Sequence, residues 1–477
     1  MIKKSIQYIL ILSLILPSLL LSGCGAKFDE DASNKLEKDV YNIYEELKTV
    51  YADADSGYDV SSYLYQWGKD HDLISRRLSG GNVFITKPAS VPDHSLPNTI
   101  IQCSISKKES KDSSQQAAVA LASLINVKEN GKVAVLFTMN NNQSFSGAKS
   151  LTASNLDSDY FIHLDGGEAS AVYTGSAGTS EYLMSLKYKR VAPIGTIGYK
   201  ITISGLDGQD SSDLSGSNPN PIIVLSNFIT SCRASGLLVE LSDFEGGTSA
   251  GNFPSKAAVT VSVDQTSESK FLTRANTSKD KFLEKYLEKI PNATYVIKKV
   301  SAPKSIIRSE DSANILSLLY TTINGVYKTT SDNGDGDIVA MANMGRITVG
   351  NGKMKLFILA RSTSSSVLKE MSDSYHSTAY LSNASFKVVA GSKIWPASKD
   401  TSFAKQFIAV GANVGLKDLT AQSTFKQNEC PILYEKKKDI NMIQRLTSSF
   451  GRFNKDLKIV RGTFLADIIR QRLRSQR

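Results

Sequence analysis

The apolar residues in the first 190 positions alternate between helical and strand spacing. A helix is predicted where apolar residues recur every three or four positions, at Leu36, Val40, Ile43, Leu47 and Val50. A second helix is predicted over 60–71, and an Ala-rich helix over 115–125. Short apolar runs with strand character stand at 81–85, 99–105, 133–137 and 160–164. This alternation predicts an α/β domain with a largely parallel sheet.

The pattern changes after about Val191. Strands with one buried face, separated by loops rich in Ser, Gly and Asn, are predicted at 199–203, 237–241, 258–263 and 355–360. Together with a helix predicted over 312–323, they indicate a separate α+β domain.

The α/β alternation resumes at about Ser392. The chain ends in a predicted amphipathic helix over 465–473, followed by an arginine-rich tail. That tail suits the negative end of a helix, and this interpretation is preferred over a specific lipid-binding patch. We therefore expect a first domain formed by 37–190 together with 392–477, and an inserted domain over 191–391.

The first 24 residues have the pattern of a bacterial export signal. Lys3 and Lys4 precede an apolar run over 8–21, which ends in Leu21-Ser22-Gly23-Cys24, the form of a lipobox. We expect cleavage before Cys24 and a diacylglycerol on its thiol. The alternative is an uncleaved anchor helix, but a spanning helix needs about 20 apolar residues, and this run is shorter and contains Pro17.

The lipobox interpretation assigns 1–23 to a signal peptide and 24–36 to a short polar tether. It predicts a lipid-anchored protein on the outer face of the bacterial cytoplasmic membrane. The net charge is +10, and the loss of Lys3 and Lys4 with the signal lowers it by two, to +8. Because this excess is spread along the chain, it does not indicate a nucleic-acid partner. An anionic membrane surface suits it better.

The remaining composition is that of a globular protein, with 41% hydrophobic and 21% charged residues among 477. Besides Cys24, the chain has Cys103, Cys232 and Cys430, which are far apart and form no CxxC pair. Neither a zinc knuckle nor a disulfide framework is indicated. One disulfide is compatible with export, and the sequence does not identify its pair. Cys103 is expected to be an inert strand residue rather than a reactive thiol.

Several short motifs between positions 81 and 443 follow the order in which they occur in one family of hydrolases. They are Gly81-Asn82-Val83 with Lys87-Pro88-Ala89, Leu136-Phe137-Thr138, Gly147-Ala148, Leu164-Asp165, Gly246-Gly247-Thr248 with Pro254, Asn324-Gly325-Val326, Asn343-Met344-Gly345, Arg361-Ser362, Glu429-Cys430 and Asn441-Met442-Ile443. In these motifs the chain resembles the Xaa-His dipeptidases of the aminoacylase/carboxypeptidase-like family of two-zinc metallopeptidases. The resemblance implies an α/β fold, with a phosphorylase/hydrolase-like mixed-sheet peptidase domain and an inserted α+β lid domain.

The resemblance also implies that most metal-binding positions have been replaced. The family's Gly-His-x-Asp supplies a zinc ligand and a supporting aspartate, and Ser104 and Ser106 stand at these positions. The family's Asp-Glu-Glu supplies the general base and the next ligand, and here it reads Asn140-Asn141-Asn142. The last ligand, a histidine, falls on Phe453. The catalytic positions Ser106 and Asn141 and the ligand positions Ser104, Asn142 and Phe453 are thus degenerate.

Two aspartates of the family pattern are retained, the bridging one as Asp112 and the one after Leu164 as Asp165. His163 lies two residues before Asp165 and hence on the same face of its strand. These three residues can surround one ion, but we favour a hydrogen-bonding role for both aspartates. A nucleophilic serine at Ser104 or Ser106 would need a nearby base, and no histidine stands in a supporting motif.

The lid implies a further group of candidate residues. The family's lid histidine falls on Asp210, and its substrate-side asparagine falls beside Asn252. Arg361 can hold a ligand carboxylate or be a solvated charge at a strand end, and both interpretations stay open. The acidic segment 331–337 resembles the start of a calcium loop, but Asn343 stands where that loop needs its glutamate. We interpret it as a tight turn.

We therefore expect a catalytically inactive lipoprotein with a dipeptidase-type fold and no cofactor. Its expected partners are the membrane, through the diacylglycerol on Cys24, and a peptide or amino-acid-like ligand at Arg361, Asp210 and Asn252. A second copy, bound through the lid, or another protein is the further expected partner. The alternative is an active metal-dependent dipeptidase with an altered site, in which zinc binds at Asp112 and Asp165.

Overall fold

The computed structural model describes residues 30–52, 59–90, 97–106, 111–127, 130–140, 145–166, 171–212, 218–331, 336–397, 402–413 and 419–447. The predicted signal 1–23 with Cys24, the acidic stretch 332–335 and the predicted helix 465–473 lie outside these ranges. In the described part, no helix is long and apolar enough to span a membrane.

The secondary structure alternates between helices and strands along the chain. The helices are α1 Glu30–Ala52, α2 Val60–Asp70, α3 Lys111–Asn126, α4 Ser146–Ser150, α5 Pro221–Ala234, α6 Glu268–Tyr286, α7 Ser309–Thr321, α8 Ser365–Leu381, α9 Ser402–Asn413 and α10 Cys430–Lys436. Single 3-10 turns lie at Ser79–Gly81 and Ala153–Leu156.

The strands form two large sheets and one small ribbon. They are β1 Ile74–Arg77, β2 Val83–Lys87, β3 Thr99–Ser106, β4 Val133–Asn140, β5 Tyr160–Gly166, β6 Ala171–Ser176, β7 Gly178–Lys187, β8 Arg190–Val191, β9 Ile197–Ser204, β10 Val239–Gly246, β11 Ala257–Val263, β12 Thr294–Val300, β13 Ile306–Ile307, β14 Gly325–Thr329, β15 Ile338–Gly350, β16 Lys353–Ser362, β17 Ser385–Ser392, β18 Thr420–Thr424 and β19 Met442–Thr447.

The chain divides into two compact units. The first unit comprises residues up to Thr174, with Ser398–Gln422 and the segment from Ile432 onward. The second unit comprises Gly175–Ala397 with Ser423–Pro431. The second unit therefore interrupts the first, as an inserted domain does.

The first unit is built on an eight-stranded mixed sheet in the order β1-β2-β4-β3-β5-β19-β6-β18. The neighbours β4, β3, β5 and β19 run parallel, whereas β1, β2 and β6 pair antiparallel. Apolar residues of α1, α2 and the Ala-rich α3 pack on one face of this sheet. The sheet is mixed, as the resemblance implies, and the largely parallel sheet expected from the alternation of elements is wrong, because the flanking strands reverse direction.

The carboxyl end of α3 is closed by a lysine from a neighbouring strand. Lys87 Nζ donates to the carbonyl oxygens of Leu124 at 3.1 Å and of Val127 at 2.5 Å. Helix ends leave carbonyl groups without intrahelical partners, and a cation there also suits the helix dipole. Burial lowers the pKa of Lys87. The Lys87-Pro88-Ala89 motif thus fixes α3 against the sheet.

The second unit is built on a nine-stranded antiparallel sheet in the order β12-β9-β11-β10-β15-β16-β7-β17, with β14 paired to β15. Helix α5 starts where Asn220 Oδ1 accepts from the Ile222 amide at 3.0 Å and Pro221 occupies the first turn. Along β15, Ala340, Ala342 and Met344 belong to the core, so the alternating residues face the opposite side of the sheet.

The boundary of the inserted unit differs from the expected 191–391. The second unit begins at Gly175 because β7 belongs to its sheet. Strand β7 pairs along its whole length with β16, and on its other side it pairs with most of β17. Strand β7 was expected in the first domain, since no pattern in the sequence identified its partners. The second unit ends at Ala397 rather than at 391, and residues 423–431 return to it.

The three cysteines of the described chain are all buried. A disulfide among Cys103, Cys232 and Cys430 is not formed. Cys103 Sγ contacts the Gln116 carbonyl oxygen at 3.5 Å, and burial raises the pKa of Cys232 to about 11. A raised pKa disfavours the reactive thiolate.

One buried carboxylate connects α7 to the segment after β7, and it makes stability dependent on pH. Asp311 accepts from Arg308 Nη2 at 2.8 Å and from the Lys189 amide at 2.9 Å. The pKa of Asp311 is lowered, and the largest cause is the hydrogen bond from Arg308. A carboxyl group with a lowered folded-state pKa stabilises the fold above its unfolded value, and the contribution disappears as the pH falls through the folded value.

We expect Asp311→Asn to lower the melting temperature at pH 7 by on the order of 3 °C. The difference from the unchanged protein should shrink as the pH falls below about 4, where the unfolded carboxyl is protonated. Thermal melts followed by circular dichroism across this pH range measure it. Asp373→Asn is the control, because Asp373 pairs with Lys369 on the exposed face of α8. An equal fall in melting temperature in both variants, or a fall that does not depend on pH, would contradict the stabilising role of the Asp311 carboxylate.

Candidate functional site

The first candidate site lies at the carboxyl ends of the parallel strands in the first unit. Ser104 and Ser106 end β3, Thr138 and Asn140 end β4, and Asp165 lies near the end of β5. In open α/β sheets, ligands bind at this edge because the strands present side chains there to a crevice. The structure thus places Ser104, Ser106, Asn140 and Asp165 on strands that end at one sheet edge.

A row of buried polar side chains crosses the sheet just below this edge. Gln102 and Gln444 are the register neighbours of His163 on either side, and all three are fully or almost fully buried. Gln102 Nε2 donates to Thr138 Oγ1 at 2.7 Å, so its Oε1 is the acceptor that faces His163 Nδ1. This orientation assigns the proton to Nδ1 of the imidazole. His163 is therefore hydrogen-bonded into the sheet.

The retained aspartate on β5 is part of the same arrangement. Asp165 is half-buried, and its Oδ2 accepts from Gln444 Nε2 at 3.3 Å. Asp165 is thus linked by this contact to the neighbouring strand β19. The other retained aspartate, Asp112, lies in α3, and its side chain is outside the described part of the structure.

The end of β3 is held mainly through its backbone. The Ser106 amide donates to Ser113 Oγ at 3.2 Å, and Tyr51 Oη donates to the Ser106 carbonyl at 3.0 Å. Ser113 Oγ also donates to the Ser104 carbonyl at 3.5 Å. These bonds connect β3 to α3 and α1, so the serines stand at a strand end fixed by two helices.

The described donors at this edge do not fit a two-zinc centre. Zinc sites in proteins use histidine, cysteine and carboxylate ligands. Here the described strand ends offer serine and threonine hydroxyls and the single carboxylate of Asp165, while His163 Nδ1 is bonded to Gln102. Within the described ranges, no three His, Cys, Asp or Glu side chains are placed to hold a metal ion. The positions Asn141, Asn142 and Phe453, and the Asn140 side chain, lie outside those ranges.

Two motifs flanking this edge turn out to bind each other. Asn82 is fully buried, and its Nδ2 donates to the Gly147 carbonyl at 3.0 Å. Its Oδ1 accepts from the Met139 amide at 2.9 Å. A Cβ on Gly147 would lie 2.6 Å from the Met139 nitrogen, so glycine is needed at this close approach. Asn82 therefore holds both ends of the segment that contains Asn140, Asn141 and Asn142.

The second candidate site lies in the second unit, on the sheet face opposite its core. Arg361 stands on β16 between Met341 on β15 and Thr179 on β7, and only 2% of it is exposed. Its Nη2 donates to Asp210 Oδ1 at 2.9 Å, and its Nη1 donates to the Phe425 carbonyl at 3.2 Å. Burial lowers the pKa of Arg361, and the charge of Asp210 opposes this shift. Arg361 is thus a buried ion-pair partner, not a solvated strand-end charge.

Asn252 and Asn343 connect two loops beside Arg361. Asp210 and Asn252 form an isolated antiparallel bridge, and Asn252 Nδ2 donates to the Gly208 carbonyl at 2.9 Å. Asn343 Nδ2 donates to the carbonyls of Ala250 at 2.8 Å and of Asn252 at 2.7 Å. Arg361, Asp210 and Asn252 thus come together, as a shared site requires. Arg361 and Asp210 pair with each other, whereas the Asn252 side chain donates to Gly208 and accepts from Ser249 Oγ at 2.7 Å.

The Gly-Gly-Thr motif owes its glycines to a close backbone crossing. A Cβ on Gly247 would lie 1.8 Å from the Gly345 carbonyl oxygen, and φ of Gly247 is +66°. A Cβ on Gly345 would lie 2.2 Å from the Ser249 carbonyl oxygen. Both glycines are therefore needed where this loop crosses β15.

The sequence patterns did not identify several residues that form hydrogen bonds at the two candidate sites. Gln102 and Gln444 were not singled out, although a glutamine within an otherwise apolar strand run is a visible signal for a buried hydrogen bond. Asn343 was identified only as part of a motif. Nothing in the sequence indicated that Phe425 would contribute its carbonyl oxygen to Arg361.

The comparisons with known proteins agree with this fold. The chain is 24% identical to the cytosol non-specific dipeptidase of Escherichia coli over 339 residues, which is 64% of this chain and 69% of that protein. No family model matches the chain. The identity reflects homology to this dipeptidase.

Solved structures show the same architecture. The aminoacylhistidine dipeptidase from Vibrio alginolyticus superposes with a TM-score of 0.72 at 20% identity, covering 87% of this chain and 92% of that one. An aminopeptidase from Bacillus cereus gives a TM-score of 0.53 at 9% identity, covering 92% and 99%. The expected mixed α/β peptidase-type fold with a catalytic-type and a lid domain is thereby confirmed.

We expect Asn82→Ala to destabilise the protein by about 3 kcal/mol, because the Met139 amide and the Gly147 carbonyl lose a buried partner. Urea unfolding measures the loss. Asn441→Ala is the control, since Asn441 makes a longer 3.3 Å bond to the Asp159 carbonyl near the surface, and its loss should stay below about 1 kcal/mol. Similar losses in the two variants would show that Asn82 does not hold this segment.

Proposed function

We propose that this chain is a lipid-anchored binding protein with a dipeptidase-type fold that does not hydrolyse peptides. The observation that carries the proposal is the chemistry of the described strand ends, which offer the hydroxyls of Ser104, Ser106 and Thr138 and the single carboxylate of Asp165. Ser104 and Ser106 carry hydroxyls where the resemblance implies a histidine and an aspartate.

Electrostatics supports the same conclusion. Two zinc ions bring four positive charges, which proteins balance with carboxylate and histidine ligands. If the ions alone were lost, the remaining carboxylates would repel each other at close range. In this chain the sequence positions Asn140, Asn141 and Asn142 are neutral as well. Replacement of ligands and carboxylates together favours a site adapted to neutral hydrogen bonding.

The proposed ligand is a peptide or an amino-acid-like molecule. The homologous protein from Escherichia coli carries the name of a non-specific dipeptidase. The loops of this chain that resemble the family's substrate-side motifs are kept in fixed conformations by Asn82 and Asn343. A preserved loop framework with neutral side chains suits binding without bond cleavage. A second copy, bound through the second unit, is the proposed protein partner.

One observation favours a second candidate function, an active metal-dependent dipeptidase with an altered site. Asp165 remains half-buried at the strand ends, and Asp112 is retained in the sequence. Two carboxylates can contribute to a single-metal site. The first proposal is preferred because Asp165 already accepts a hydrogen bond from Gln444.

We expect the purified chain to retain substoichiometric zinc after incubation with excess zinc and desalting, and to leave a dipeptide with a C-terminal histidine intact. Elemental analysis and amino-acid release measure these two outcomes. Calorimetry with the same dipeptide should show saturable binding. The aminoacylhistidine dipeptidase from Vibrio alginolyticus, treated in parallel, is the positive control.

Stoichiometric zinc together with hydrolysis would overturn the proposal in favour of the active enzyme. In that case Asp165→Asn should abolish both zinc retention and hydrolysis, while Asp157→Asn, a change at an exposed position, should leave both intact. Intact dipeptide without saturable binding would exclude the small-peptide ligand and leave a protein partner.

We also propose that the chain is anchored through Cys24 to the outer face of the cytoplasmic membrane. Cys24→Ala removes the thiol that would carry the diacylglycerol, so the expressed protein should shift from the membrane fraction to the soluble fraction. Cys103→Ala is the matched control, because Cys103 is buried. Fractionation of cells followed by detection of the chain measures the shift. Membrane retention of the Cys24→Ala variant would contradict lipid anchoring.

A further inference from the structure

The Arg361 guanidinium is a buried cation with an incomplete set of partners. It is 2% exposed, and within the described residues its ion pair is with Asp210, at 2.9 Å. Ser211 Oγ lies 3.5 Å from Nη2, and Phe425 provides a carbonyl oxygen to Nη1. The buried Nε has no hydrogen-bond partner among the described residues. A planar guanidinium with a free donor is shaped for a bidentate carboxylate.

Asp210 differs from its partner in exposure. Its side chain is 55% exposed, whereas that of Arg361 is 2% exposed. Its Oδ1 also accepts from the Ser212 amide at 2.8 Å and from Ser212 Oγ at 2.6 Å. The Ser211 amide donates to the Gly251 carbonyl at 2.8 Å, which holds the segment 208–212 against the neighbouring loop. Asp210 therefore reaches a buried cation from the solvent side.

A second unpartnered polar atom lies on the same sheet face. Asn343 and Arg361 project from the same side of the β15–β16 pair, as diagonal neighbours in its register. Asn343 Oδ1 is buried and has no hydrogen-bond partner among the described residues. The site thus offers a donor and an acceptor that the described residues leave unused, beside the single carboxylate of Asp210.

We propose that Arg361 forms a carboxylate-binding cradle that the chain fills with its own Asp210. Asp210 supplies from within the molecule the group that a ligand would otherwise bring. While this contact is closed, the cradle excludes ligand carboxylates, and the surface above it presents a carboxylate instead of a guanidinium. Asp210 is thus a specificity-determining residue that keeps the carboxylate of a bound ligand away from Arg361.

This inference concerns the second unit alone and does not depend on the metal content of the first. Removing one member of a buried ion pair leaves the other charge uncompensated, whereas removing both costs far less. Asp210→Ala should therefore lower the melting temperature, and a small carboxylate that enters the vacated position should restore it. Asp210→Ala combined with Arg361→Met should be more stable than Asp210→Ala alone.

The test is a thermal-shift titration of the full-length chain with acetate, and with neutral acetamide as the matched ligand. In Asp210→Ala, acetate should raise the melting temperature by on the order of 3 °C at concentrations well above its dissociation constant, and acetamide should not. The unchanged protein and the double variant should not respond to acetate. Asp207→Ala, which removes an exposed carboxylate from the same segment, should behave like the unchanged protein.

An Asp210→Ala variant that folds and ignores acetate would overturn the proposal, as would an equal acetate response in the double variant. If Asp210→Ala folds only when acetate is present during purification, that result supports it. If it folds in neither buffer, Asp210→Ser, whose shorter side chain still vacates the carboxylate position, takes its place in the titration, and indifference to acetate there again overturns the proposal. Failure of this test leaves the zinc and hydrolysis results unaffected.

Discussion

The structure depends on one constraint, that a polar or charged group taken out of water must find a partner inside the protein. An unpaired buried group costs roughly 1 to 3 kcal/mol, and a buried charge costs more. In the first unit, Gln102, Thr138 and His163 meet this constraint with bonds to one another across three strands. In the second unit, Arg361 meets it mainly through Asp210. Both sites are thus organised by internal pairing of side chains.

The same constraint links the replacements within each site. His163 is 1% exposed, and its bond to Gln102 fixes the imidazole ring within the row of buried polar side chains. An arginine that binds a ligand carboxylate needs free N–H groups on its guanidinium, and Asp210 occupies one of them. At Arg361 a side chain of the protein thus takes the place that an anion would fill. At the described strand ends, Ser104, Ser106 and Asp165 are half-buried, and in the second unit Asp210 is exposed.

The framework around the sites explains how the fold tolerates these changes. The sheet of the first unit is covered by α1, α2 and α3 through apolar packing on the face that carries Cys103, Ile105 and Leu164, whereas the alternating Ser104, Ser106 and Asp165 face the other side. The loops are fixed by buried asparagines and close glycine crossings, at Asn82 with Gly147 and at Asn343 with Gly247. Stability therefore comes from the core and the loop contacts, so the side chains at the edge can change without loss of the fold. The 24% identity with the dipeptidase agrees with a fold that tolerates the replacement of many side chains.

The sequence by itself determined the elements whose signal is local. The spacing of Leu36, Val40 and Leu47, the Ala-rich run of α3 and the apolar runs of β3, β4 and β5 were all predicted, because apolar periodicity reflects burial on one face. The order of motifs indicated the fold and brought Arg361, Asp210 and Asn252 together as candidates. Only the tertiary structure decided that β7 pairs with β16, that Gln102 faces His163, and that Asp210 reaches Arg361. Strand partners and side-chain contacts join residues far apart in the chain, and single-sequence patterns carry no information on such distances.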